Sequence, residues 1–164
     1  MARRSSPSSR PLVQPAGVSV SSFRWSYLCS DKRLWKAITT RIDRWWPRDF
    51  LAHPKARRFV LEARLGGRMF EDAGKGAGLL WGTVWSIEPG RSLVVVGHSI
   101  PRFGGPSTGM MEFTIEPAPK GKDGCTLAFT HAIYGRTDKA TIDCLKEGWT
   151  ALFDISLRKH LEEA

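Results

Sequence analysis

The stretch DKATIDCLKEGWTALFDISLRKHLEE, residues 138–163, sets what the rest of the chain must do. Ile142, Leu145, Trp149, Leu152 and Ser156 recur at three- and four-residue steps and make one stripe, with Phe153 and Leu157 beside it. Lys139, Asp143, Lys146, Glu147 and Arg158 fall outside that stripe. This is the period of an amphipathic helix. At 1.5 Å per residue it predicts a rod of roughly 35–40 Å, long enough to cross a whole sheet.

The preceding residues predict that sheet. VSVSSFRWSYL (18–28) is rich in β-branched and aromatic residues and reads as a first strand. SDKRLWKAITT (30–40) then changes to helical period, with Ser30 as N-cap and Asp31 in the first turn. A second short helix is expected from about Arg41 to Trp46, ended by Pro47. From Arg57 to Ile133 strands alternate with turns. RRFVLEARL (57–65) and RMFEDA (68–73) flank Gly66-Gly67 as a hairpin; LLWGTVWSI (79–87) and SLVVVGHS (92–99) flank Glu88-Pro89-Gly90. TGMMEFTIEP (108–117) and CTLAFTHAI (125–133) alternate apolar with polar residues, so each buries one face.

The expected architecture is α+β: a curved antiparallel sheet of about six or seven strands wrapped around a long C-terminal helix, with two short helices after the first strand. A chain of 164 residues suits one domain. The domain is expected over 18–163. Residues 1–17 are expected to form a disordered basic tail rich in Ser and Pro, with a targeting signal as the alternative. No apolar run approaches the roughly 20 residues that span a bilayer. Cys29, Cys125 and Cys144 form no Cys-x-x-Cys pair and have no His at ligand spacing, which points to reduced thiols in the cytoplasm and to no metal site.

LWKAIT (34–39), WWP (45–47), EARLGGR (62–68), WGTVWSIEPGRSL (81–93), FTHAIYG (129–135) and EGWTALFDISL (147–157) occur in that order. In this the chain resembles the SRPBCC superfamily, with its START-like or helix-grip fold. The branch it most resembles is named after the C-terminal domain of the activator of Hsp90 ATPase. The resemblance covers about Val18 to Leu161 and implies a cavity between the terminal helix and the sheet. It implies a small hydrophobic or aromatic ligand there, without a cofactor. A protein-interaction module, or an enzyme of cyclase or hydrolase type, is the alternative, and the sequence favours binding over catalysis. The oligomer is left open between monomer and homodimer.

The fold is expected to bring Trp46, Trp81, Trp85 and Trp149 together from different elements. The candidate lining residues are Trp46, Phe59, Trp81, Met111, Phe113, Phe129, His131, Trp149 and Phe153. One of Trp45 and Trp46 is expected to plug the core and the other to face the cavity or its rim; packing of both is the alternative. His131 lies in phase with Leu127 and Phe129, so its imidazole points inward, as a ligand contact, a base or a satisfied core group. His53 and His160 are read as solvent-facing. A two-residue turn at Gly66-Gly67 would set Glu62 opposite Glu71, with Arg64 on the same face as a charge partner or an anion clamp. AGKGAG (73–78) lacks the Gly-Lys-Ser/Thr that opens a helix after a phosphate loop, and is read as a turn. Eleven Lys and Arg residues between Lys32 and Arg68, interleaved with aromatics, raise a nucleic-acid surface, but the aromatics suit the core better.

Overall fold

A computed structural model describes residues 15–99, 105–119 and 123–163. The tail expected at 1–17 lies outside the described residues as far as residue 14. The first element, β1 (Gly17–Tyr27), is followed by helix α1 (Asp31–Ile38) and two single 3₁₀ turns, Ile42–Arg44 and Arg48–Phe50. Then come β2 (Arg58–Leu61), β3 (Arg68–Gly74), β4 (Ala77–Glu88), β5 (Ser92–Ser99), β6 (Ser107–Pro117) and β7 (Cys125–Gly135). The terminal rod of 25 residues begins as α2 (Lys139–Thr150), widens to a π-helix (Ala151–Leu157) and closes as α3 (Arg158–Glu163).

The seven strands form one antiparallel sheet in the order β1-β7-β6-β5-β4-β3-β2. The strands from β2 to β7 follow one another as a meander, and β1 returns to pair with β7 from Gly17↔Gly135 to Tyr27↔Cys125. Alternation decides the faces. Met111, Phe113, Ile115, Leu127 and Phe129 are buried on the concave side, and Met110 and Glu112 are exposed on the other. On that outer face Arg24 is ion-paired with Glu116, and Ser26 bonds Thr126 across β1 and β7.

The terminal rod buries Trp149, Phe153, Leu157 and Leu161, each four residues from the last. In ordinary α winding each step of four overshoots a turn by about 40°, so such a ridge would spiral off the sheet. The π-helix over Ala151–Leu157 has wider turns and keeps the ridge on one face. The buried Tyr27 hydroxyl donates to the Phe153 carbonyl at 2.8 Å, which ties the end of β1 to this segment. Burial raises the Tyr27 pKa, so the phenol keeps the proton it donates.

Several expectations change. The second short helix is two 3₁₀ turns, because Pro47 divides the segment and fits the extended cap of the second turn. Trp45 and Trp46 are both buried packing residues. Trp45 donates from Nε1 to the Ala37 carbonyl at 2.8 Å. β2 ends at Leu61, and Phe59 pairs with Glu71, so Glu62 lies beside Arg68 and not across from Glu71. β4 carries two register shifts, each adding one residue, at Trp81 and at Trp85. The first reverses the phase, so Val84 points inward and Trp85 to the outer face, 72% exposed and away from the other indoles. Cys29 and Cys125, far apart in sequence, meet with sulfurs 3.9 Å apart; burial pushes the Cys125 thiol up to about 12.

Between the rod and the middle of the sheet the interior is solid. The Phe153 ring lies 5.3 Å from Phe129, 6.0 Å from Phe113, 5.2 Å from Trp25 and 5.8 Å from Trp45. The expected gap between rod and sheet is therefore confined to one end of the concave face. Among the described residues no helix is long and apolar enough to cross a membrane.

Phe153→Ala is expected to cost about 3–5 kcal/mol through a central cavity. Tyr27→Phe, which removes only the hydroxyl, should cost about 1 kcal/mol. Urea denaturation of both variants checks the ratio.

Candidate functional site

At one end of the concave face the sheet loses its side chains. Gly97 of β5 pairs with Gly109 of β6, both at inward positions. A Cβ on Gly97 would stand 1.7 Å from the Trp81 carbonyl oxygen, so only glycine admits the bulged backbone of β4. A Cβ on Gly109 would stand 2.8 Å from His131 Nε2, so glycine here makes room for the imidazole. Over this floor stand Trp81 and Leu79 of β4, Met111 of β6, His131 of β7, and Leu145 and Trp149 of α2. Phe50 and Ala52 close one side. The cleft has a volume of about 280 Å³ and is open to solvent on one side.

His131 is held by its neighbour. Trp149 donates from Nε1 to His131 Nδ1 at 3.0 Å, with the two rings at 87°. An indole is a donor only, so Nδ1 is the acceptor, and the neutral ring carries its proton on Nε2. Burial pushes the His131 pKa down to about 4. At neutral pH the side chain therefore offers an N–H beside Gly109, and its other nitrogen is already engaged. This arrangement can donate a hydrogen bond to a bound acceptor; it holds no free lone pair for proton abstraction.

Glu71 fixes the wall opposite. It is fully buried, and its carboxylate accepts from Ala52 N–H at 2.9 Å, His53 N–H at 2.7 Å and Trp81 Nε1–H at 2.8 Å. One carboxylate thus sets both the Trp81 ring and the backbone beside Ala52. Trp81 is further buttressed by Trp46 and Phe59, which stack with centroids 3.8 Å apart and meet its ring edge-on. The Trp46 Nε1 is buried without a partner among the described residues, a cost that the burial and stacking of the ring outweigh.

Of the residues expected to line a cavity, Trp81, Met111, His131 and Trp149 reach the cleft. Trp46, Phe59, Phe113, Phe129 and Phe153 are buried in the packed core behind it. Arg64 is exposed and lies 3.6 Å from Glu62, on the solvent side, so it clamps nothing in the cleft. Glu62 is held mainly by Arg68, whose hydrogen bonds bring its carboxyl down to about 2. Sequence reasoning missed Gly97 and Gly109, although Gly97 is in phase with Val95 and Gly109 with Met111. Glu71, read from the sequence as facing Glu62 across a short turn, is instead fully buried, as its phase with Met69 marks.

No protein-family model matches the chain, and no curated protein sequence is significantly similar to it. Similar folds are found among solved structures. An uncharacterised protein from Rhizobium leguminosarum matches with a TM-score of 0.68 and 18% identity, over 93% of this chain and 100% of its own. The protein Ara h 8.0201 matches with a TM-score of 0.63 and 12% identity, over 90% and 100%. A point mutant of norcoclaurine synthase from Thalictrum, in complex with a transition-state analogue, matches with a TM-score of 0.56 and 13% identity, over 92% and 98%. These likenesses are of fold: the chain has the helix-grip architecture, a Bet v 1-like arrangement of sheet and terminal helix.

The unfolded histidine binds its proton near 6.5 and the folded one near 4, so the unfolded state holds more protons between those values. Stability is therefore expected to fall as pH drops through that window and to level off below it. His131→Leu should flatten this part of the stability curve, as measured by denaturation at stepped pH. Glu71→Ala leaves three N–H groups without their acceptor and is expected to cost about 3 kcal/mol or more. It should also alter the emission of Trp81, which denaturation followed by fluorescence will show.

Proposed function

We propose that the cleft binds one small, flat, largely apolar molecule carrying a hydrogen-bond acceptor, and that this is a binding rather than a catalytic site. The Trp149–His131 hydrogen bond carries the reading, because it presents a fixed imidazole N–H at the wall of a largely apolar space. A volume of about 280 Å³ is at the lower end of small-molecule pockets, which suits a guest of one or two rings. Among the described residues none lining the cleft is Lys or Arg, which favours a neutral guest over an anion. The fold supports this, since helix-grip structures of similar shape include one in complex with a transition-state analogue. Assignment to the branch of the Hsp90 ATPase activator's C-terminal domain belongs to the same proposal and rests on the sequence motifs.

A second reading, a protein-interaction module, draws on the outer sheet face. There Val18 lies beside Tyr134, and Val20 beside Ala132, whose other neighbour is Met110, while Trp85 stands 72% exposed. Val20→Ser with Trp85→Ser changes only that face. Loss of partner cross-links in cell extract, with guest binding kept, is the result this second reading expects.

Titration with 2-naphthol, followed by indole fluorescence, tests the first reading. The parent protein should be quenched saturably at one guest per chain. Gly109→Ala, which pushes a methyl group at the imidazole, should weaken binding by at least about tenfold, the equivalent of 1.4 kcal/mol. Unchanged affinity in that variant would place the guest elsewhere. Native mass spectrometry of protein from its own cells should show a co-purified small mass that His131→Leu reduces.

A further inference from the structure

A second recess lies between α1 and α3. Ser30, Lys32, Arg33, Lys36, Arg41 and His160 line a groove of about 300 Å³. We propose that this groove is a binding site for a phosphoryl group borne by a small molecule.

The case begins with unpaired charge. Nine ion pairs form among the described residues, and Lys32, Arg33, Lys36, Arg41 and Arg44 take part in none. Local structure forces these cations together. Arg33 donates from its guanidinium to the Leu161 carbonyl at 2.6 Å, which fixes the fork in the groove and leaves further N–H donors. Beyond α1 the chain folds back, with the Arg41 backbone N–H donating to the Lys36 carbonyl at 2.9 Å, so both side chains share one wall.

His160 reports the resulting field. Read from the sequence as solvent-facing, it is half-buried in the groove. Burial first, then Arg33, Arg44 and Arg41, lower its pKa below the ordinary histidine value. Glu163, on its own helix, is the acid acting on it, with the smallest effect and the opposite sign. Cations at helix C-termini are ordinarily favourable, which accounts for Lys36 at the end of α1 and Arg33 at the end of α3. That does not account for Lys32, Arg41 and Arg44, which add repulsion that an anion would relieve.

Phosphate fits better than a carboxylate. It brings two negative charges and three acceptor oxygens to two planar guanidiniums and two ammonium groups, the pairing that gives short, charge-assisted bonds. The groove holds about ten waters' worth of space, enough for one phosphoryl group and part of what carries it. A nucleic-acid strand needs a track of about four nucleotides or more, with exposed aromatics for stacking. Trp35, within the same segment, is partly buried and packed against the core, and Trp45 and Trp46 are buried.

The test reads the His160 imidazole by proton NMR in sodium sulfate, a dianion that does not titrate, against sodium chloride at matched ionic strength. Sulfate should raise the His160 pKa saturably and chloride should not match it. Calorimetry with inorganic phosphate should give one site per chain. Lys36→Gln combined with Arg41→Gln, both exposed side chains, should weaken it at least about tenfold. Superimposable sulfate and chloride curves, or a double variant that binds phosphate as the parent does, overturn the proposal. Glycerol phosphate and phosphatidylcholine vesicles containing phosphatidic acid separate the two sources. Binding to either supports the site and names the source. A shift of single-stranded RNA whose salt dependence counts several phosphates, with no effect of free phosphate, would overturn it in favour of a nucleic-acid surface.

Discussion

The contact between the terminal helix and the concave sheet governs everything else in this molecule. Trp149, Phe153, Leu157 and Leu161 form a ridge at intervals of four, and the π-helical winding keeps that ridge aimed at Phe113, Phe129 and Trp25. A seven-stranded antiparallel sheet has one large apolar face, and no other element is long enough to cover it. The short elements after β1 cross from one edge strand to the other and fill the side of the same core with Leu34, Ile38, Trp45 and Trp46.

That tight fit limits where anything can bind. Aromatic rings close the middle, and among the described residues the cleft lies where the sheet carries glycine instead of a side chain. Gly97 and Gly109 sit side by side there, and the Trp81 bulge and the start of α2 arch over them. Two polar groups of this end are fixed, His131 by Trp149 and Trp81 by Glu71. In the proposed binding role, guest recognition and local rigidity rest on the same hydrogen bonds. A substitution that loosens Glu71 acts on binding through the placement of Trp81, not through direct contact.

Much of this was legible in the sequence. The apolar stripe from Ile142 to Leu157 announces a covering helix, and the alternation in 108–117 and 125–133 fixes which face of β6 and β7 points inward. Met111, His131 and Trp149 follow from that phase. The rest depends on features that periodicity does not encode. One inserted residue in β4, at Trp81, reverses the phase and leaves Trp81 and Trp85 on opposite faces. A hairpin longer than a two-residue turn separates Glu62 from Glu71, sending one to solvent and the other to the core. A glycine floor is invisible to any reading that looks for lining side chains, because the absence of the side chain is the feature. The basic segment after Ser30 was visible as charge, but its convergence on His160 needed the packing of α1 against α3.

On the concave face, room for a guest lies at the glycine-floored end beside His131. Intermolecular nuclear Overhauser effects from bound 2-naphthol test it most directly. The account predicts cross-peaks from the guest to the Gly97 and Gly109 α-protons and to the Trp81 and Trp149 indoles. Cross-peaks confined to Trp85 and its outer-face neighbours, or to Phe129 and Phe153 in an opened core, would contradict it.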